Sequence, residues 1–433
     1  MRAGTGLTLL AAAVAALLVL AGCGAPAADA PATSTTTRTE ETRTATATRD
    51  PAGTTTTATA TAGAEAPAIA VRNGTLPADP NATFRRLRAV LGTDAPPPAY
   101  VEVVASPGAL APGSDRRRVP RFWRLLGVEP EQALTDAERR RLENGVTTGL
   151  GGIRLYPGDG DPARVEWLLA HEFVHYVQLR RGHDATLRRH LARTTDARFL
   201  ARAIVEGVAV YATDAYVARH RPDAGPTSAF YERLHADLPP GSPSRYANLA
   251  YVAGHRYVAG RIDDPAAADA VYADPPATSE QLLHGTDDPP VPLRVAVATE
   301  GWRAVGSDTM GEAFLRVALE NGLDPERARR AAAGWGNDSL RVFRPAGGGD
   351  PGYVWVLRFD DAADATEAER ALAASLAARG NRTDGGWRVA GAPAALTRPD
   401  DRTLALAAGP AGFVNRTAVA SADGGVRVSV GER

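Results

Sequence analysis

Apolar and polar positions divide the chain into stretches of different period. Leu7 to Leu20 is a short unbroken apolar run, and Thr33 to Thr61 shows no apolar period at all. From about Pro67 to Phe343 the spacing is mostly helical. It predicts helices over Asp136–Glu143, Ala163–Arg180, Ala197–His220, Arg245–Arg261 and Thr309–Asn321, with strands at Tyr100–Val104 and Gly152–Tyr156. After Gly347-Gly348-Gly349 the character changes. Tyr353–Phe359 alternates as a strand, Ala362–Arg379 is amphipathic, and Trp387–Val389, Thr403–Leu406 and Val426–Val430 are strand-like. The fold class expected is α+β: a mostly helical domain with a small mixed sheet over 67–345, then a small α+β module over 346–433.

The first apolar run is shorter than the ~20 residues a membrane-spanning helix needs, which fits a signal sequence over 1–22. It ends in Leu20-Ala21-Gly22-Cys23, which resembles a lipobox, so Cys23 is the expected lipidation site. Fifteen of the 29 residues from Thr33 to Thr61 are Thr, and such a segment cannot bury enough surface to offset its ordering entropy. The stretch 23–66 therefore reads as a stalk lifting the folded part off a membrane. Five sequons, at Asn73, Asn81, Asn337, Asn381 and Asn415, are candidate N-glycosylation sites of a surface protein.

Charge and cysteine content narrow the chemistry. Lys+Arg 49 against Asp+Glu 50 leaves no basic surplus for phosphate backbones, so a nucleic-acid partner is not expected. Cys23 is the single cysteine, which excludes a disulfide framework and any cysteine-based zinc cluster.

The candidate chemistry lies in His171-Glu172-Phe173-Val174-His175, an H-E-x-x-H motif. Asp161-Pro162 supplies an N-cap and a proline for the first turn, so a helix starts where the motif needs one. At 3.6 residues per turn His171 and His175 share a face and can grip one metal ion, with Glu172 beside them as the base. Val165, Leu168, Leu169, Phe173, Tyr176 and Val177 make this helix apolar nearly all round, so it should be buried. The third ligand expected is Glu206, a lone carboxylate in Ala203–Tyr211, 31 residues beyond His175. Arg202, one turn earlier, offers it an alternative as an ion-pair partner; Asp196 and Asp214 are weaker rivals as ligands. Gly207 weakens a helix interior by ~1 kcal/mol, which makes sense where two helices approach closely. Tyr251 and His255 share a helix face, and either could steady a developing oxyanion, although a packed aromatic face explains them as well. His183 and His190, after an Arg-rich segment, read as solvated. Gly149–Tyr156 sits where an edge strand could pair with an extended substrate, and an ordinary core strand explains it equally.

An H-E-x-x-H helix followed by a Glu-Gly helix resembles the gluzincin metallopeptidases. That resemblance implies Zn2+ as cofactor, Glu206 as third ligand, and a peptide or protein substrate in an extended conformation. The thermolysin-type pattern carries an Asp four residues after this Glu, where the chain has Val210; the metzincin pattern is excluded by Gln178 and Arg181. Pro275-Pro276-Ala277-Thr278-Ser279-Glu280-Gln281-Leu282-Leu283-His284 and Gly334-Trp335-Gly336-Asn337-Asp338 are similar to stretches of secreted prokaryotic zincin-like proteins. Lipobox, stalk and sequons together resemble surface lipoproteins of halophilic archaea. The function implied is a lipid-anchored, extracytoplasmic zinc hydrolase, with a non-catalytic surface scaffold as the alternative.

Overall fold

A computed structural model describes residues 68–110, 119–129, 144–147, 152–158, 160–422 and 425–431. The signal sequence, Cys23, the stalk and the helix expected over Asp136–Glu143 lie outside these residues. The described chain is α+β, with three sheets and more than one hydrophobic core.

The first half carries a four-stranded sheet in the order Ala70–Arg72, Tyr100–Val103, Ile153–Tyr156, Asn144–Thr147. The first three strands are parallel and the last is antiparallel. Ile153–Tyr156 is thus an internal strand with neighbours on both sides. Among the described residues Asn144–Thr147 is at the edge, and of the two readings open for Gly149–Tyr156 the described part, Ile153–Tyr156, fits the ordinary core strand. A short apolar strand reads the same whether it lies inside a sheet or at its rim.

Beneath this sheet runs the motif helix, Pro162–Arg181. Asp161 accepts hydrogen bonds from the Ala163 and Arg164 amides, and Gly182 in the left-handed region ends the helix. Every residue from Leu168 to Gln178 is buried, and Phe84 of the helix Pro80–Val90 meets Phe173 and Tyr176 edge-on. A second long helix, Thr195–His220, carries Glu206, and a third, Pro243–Ala259, carries Tyr251. These last two cross at Gly207 and Gly254. A Cβ on Gly207 would lie 2.3 Å from the Gly254 carbonyl carbon, and one on Gly254 1.9 Å from the Ala203 oxygen. The close approach expected at Gly207 is what the helices do.

The second half is a seven-stranded antiparallel sheet, ordered Trp302–Asp308, Trp335–Pro345, Gly352–Phe359, Thr403–Ala408, Ala392–Asp400, Gly386–Val389, Gly380–Thr383. Helices Glu312–Leu319, Pro325–Ala332 and Ala362–Arg379 contribute to the core on one face. A three-stranded sheet of Thr417–Ala422, Gly425–Val430 and Arg294–Thr299 contributes to the core on the other. The seven-stranded sheet spans the boundary expected at 345/346: Gly347–Gly349 lies in the turn of a hairpin whose strands pair Phe343 with Gly352. Phe122 and Leu125, much earlier in the chain, also belong to the core of this sheet. Glycine marks a hairpin turn and a linker alike. Arg294–Thr299 and Trp302–Asp308 escaped notice because most of their residues are exposed and give no apolar stripe. The helix expected from Thr309 begins only at Glu312. No helix among the described residues is long and apolar enough to cross a membrane.

Candidate metal centre

Helical spacing brings the two imidazoles of the motif helix together, with His175 Nε2 3.1 Å from His171 Nε2. The crossing of Thr195–His220 delivers Glu206 to the same point, its Oε2 3.2 Å from His175 Nε2 and 3.5 Å from His171 Nε2. The point equidistant from these three atoms lies about 1.9 Å from each, just inside the ~2.0–2.2 Å of zinc–nitrogen and zinc–oxygen bonds. These three side chains would hold such an ion if it were bound. Among the described residues this is the one cluster of three such side chains able to hold a metal.

The charges of these buried groups are strongly coupled. Burial pulls the His175 imidazole down, but Glu206 against it outweighs that and holds it at about 9. Burial pushes the Glu206 carboxyl up, and His175, His171 and Arg202 overturn that and hold it well below the usual carboxylate range. Arg202 itself lies over Tyr251, its guanidinium 5.6 Å from the ring centroid.

Glu172 sits beside the triad under the edge strand. Its Oε2 accepts from Thr147 Oγ1 at 2.9 Å, and its backbone carbonyl accepts from the same hydroxyl. Its Oε1 is buried with no hydrogen-bond partner among the described residues. Burial raises this carboxyl above its ordinary value against the pull of His175 and His171. Gly145 makes room for it, since a Cβ there would lie 2.6 Å from Glu172 Cγ.

Of the two oxyanion candidates, Tyr251 is at the centre: its ring stacks at 6.4 Å on His171 and at 4.6 Å on Tyr231. Burial holds its hydroxyl well above the ordinary tyrosine range, so it remains a donor. His255 instead faces Asp214 at 3.3 Å. Asp214 is engaged by the first turn of the helix Thr227–Asp237, accepting from Thr227 and Ser228. Asp196, the other rival ligand, receives the Ser279 amide. Neither Asp belongs to the triad. Val210, where the thermolysin-type pattern has Asp, lies in an apolar cluster with Tyr231 and Tyr251. The His171 ring thus rests on aromatic neighbours.

Sequence reasoning missed three participants. Gln178, three residues after His175, sets its Oε1 2.7 Å from His175 Nδ1; a polar side chain at the end of an apolar helical run was the available signal. Gly145 and Thr147 carry no local signal, because their role arises only when the strand lies over the motif helix. His183, read as solvated, is buried and stacks at 3.8 Å on Tyr272.

The two longer motifs fasten neighbouring segments, and one of their contacts, His284 with Glu312, joins the halves. Ser279 caps onto Asp196, His284 Nε2 faces Glu312 at 2.9 Å, and Asp338 receives the amides of Met310 and Gly311. Among the sequons, Asn381 and Asn415 are exposed. Asn73 donates to Glu102, Asn81 accepts from the Ile69 amide, and half-buried Asn337 donates its Nδ2 to the Val291 carbonyl.

A family model described as Domain of unknown function (DUF8575) matches residues 296–417, most of the C-terminal sheet, and His171, His175 and Glu206 all precede it. No curated protein and no solved structure matches the chain.

Proposed function

We propose that this chain is a zinc-dependent hydrolase of the gluzincin type, acting on peptide or protein substrates and held at the cell surface by a lipidated Cys23. The observation that carries the reading is the convergence of His171 Nε2, His175 Nε2 and Glu206 Oε2 on one buried point. Zinc, when bound, supplies Lewis acidity and lowers the pKa of water toward ~7. The chain's own residues divide the remaining tasks. Thr147 anchors one oxygen of Glu172 and leaves the other free to take a proton from water as it attacks a carbonyl. Tyr251 keeps its proton and can donate to the oxyanion that forms. The strand Asn144–Thr147 has a neighbour on one side only among the described residues, so an extended backbone can add alongside Glu172.

One observation favours a second reading, a zincin-type scaffold that keeps its metal without catalysis. His171, Glu172, His175 and Glu206 are all no more than 3% exposed, so substrate entry needs the covering elements to move. Glu172→Gln separates the two. The enzyme reading expects wild type to cleave a broad peptide library and the variant to lose at least ~100-fold in rate with zinc retained. A zinc-loaded wild type that cleaves nothing in that library sinks the enzyme reading and leaves the scaffold.

A further inference from the structure

We infer that Gln178 is the positioning residue of this metal centre, fixing which nitrogen of His175 faces the ion; the inference rests on the metal reading above. A glutamine amide has one acceptor oxygen and one nitrogen with two protons. Both protons are committed: Nε2 donates to the Val205 carbonyl at 2.9 Å and to Tyr272 Oη at 2.7 Å. The Val205 carbonyl can only accept, so the amide cannot turn over without setting two oxygens against each other. Oε1 is then the atom that faces His175, at 2.7 Å from Nδ1. An acceptor there requires a proton on Nδ1. In the neutral ring that leaves the lone pair on Nε2, the nitrogen pointing at His171 and Glu206.

The support has a long reach. Val205 is the residue before Glu206, so the same amide that orients one ligand is tied to the backbone that carries another. Tyr272 is stacked on His183, whose Nε2 lies 2.9 Å from Asp269. The orientation of His175 is thereby set by three elements distant in sequence. Loss of such outer support at metal sites costs ~10–100-fold in affinity. Because the acceptor is a neutral amide, it orients the imidazole without adding negative charge to the centre.

The test compares zinc affinity, by competition with a chromophoric chelator, in wild type, Gln178→Met and Gln178→Glu. Gln178→Met keeps the volume and removes the acceptor, and should weaken zinc binding ~10–100-fold and shift the visible bands of the cobalt-substituted protein. Gln178→Glu, protonated on the oxygen that faces the Val205 carbonyl and accepting there from Tyr272, keeps an acceptor against Nδ1 and should stay within ~3-fold of wild type, well short of the loss for a missing outer partner. A residue that merely fills space gives the reverse order, with Met tolerated and the buried charge of Glu damaging, and that result overturns the inference. Should Gln178→Met fail to fold, wild type labelled with 15N-histidine and loaded with zinc decides. A slowly exchanging proton on His175 Nδ1 supports the assignment, and one on Nε2 overturns it. A wild type that takes up no zinc sinks the metal reading itself, and this inference with it. A wild type that binds zinc no more tightly than Gln178→Met sinks this inference alone.

Discussion

Glu206 and Asp338 are each only 2% exposed, yet their surroundings have little in common. Asp338 is saturated with neutral donors: the Met310 amide at 2.9 Å, the Gly311 amide at 2.7 Å, and the indole N–H groups of Trp335 and Trp355 at 3.1 and 3.0 Å. Glu206 turns its Oε2 toward two imidazole nitrogens. Asp338 is nevertheless raised to about 6, since burial outweighs the four N–H donors, whereas the charged neighbours of Glu206 drive it far the other way. Around Asp338 four neutral donors do not overcome the cost of burial, whereas the charged groups around Glu206 do. The N–H groups fasten Asp338 within the fold, and Glu206 is the third member of a cluster able to hold a metal ion.

Removing each carboxylate should separate metal content from stability. The largest effect expected is for Glu206→Ala or His175→Ala, which leave two of three protein ligands and should abolish stoichiometric zinc in purified protein by metal analysis. Zinc content unchanged in both variants, with His171→Ala also neutral, would remove Glu206 from the site and erase the contrast. Next comes Asp338→Ala, which strands two backbone and two indole N–H groups in the core. It should cost at least about 4 kcal/mol by denaturant unfolding, with zinc stoichiometry intact, given ~1–3 kcal/mol for each unsatisfied buried group.

The smallest effect concerns Asp196, which fastens Ser279. Burial raises it from 3.8 to about 7 against support from the Ser279 side chain and amide. The folded state therefore keeps a proton that the unfolded chain gives up at lower pH. Stability from this carboxyl is full below about pH 4 and is lost as the pH climbs through about 7. Asp196→Asn has no such proton to lose, so its melting temperature relative to wild type should rise between pH 5 and pH 8. A difference that stays flat across that range would mean that Asp196 is ionised at no cost.

The metal helices were legible for local reasons. Asp161-Pro162 starts one helix, a lone Glu in an apolar run marks the next, and Gly207 announces a close crossing, all within a few turns of chain. The participants that stayed hidden come from pairings across the fold: Thr147 and Gly145 reach Glu172 from a strand that precedes the motif, and Gln178 acquires its role through Val205 and Tyr272. Tyr231 is one aromatic among several until its helix lays it on Tyr251. The second sheet was misjudged where its strands are exposed, because a strand without a buried face leaves little trace in hydropathy. Its central strand Gly352–Phe359, buried at nearly every position, was found.

The pairing of Arg294–Thr299 with Gly425–Val430 has a consequence for how the protein is made. The two strands run parallel in the three-stranded sheet, where Gly425–Val430 is the one neighbour of Arg294–Thr299 among the described residues. About 130 residues separate them, so at ~5–20 residues per second a ribosome takes on the order of ten seconds to deliver the partner. Through that interval the backbone N–H and C=O groups of Arg294–Thr299 lack the strand that pairs them, on a nascent chain whose motif helices have already left the exit tunnel. The stretch matched by the family model stops at 417, short of the partner. Cutting the chain there would make that waiting period permanent, so a soluble C-terminal fragment should run through Val430.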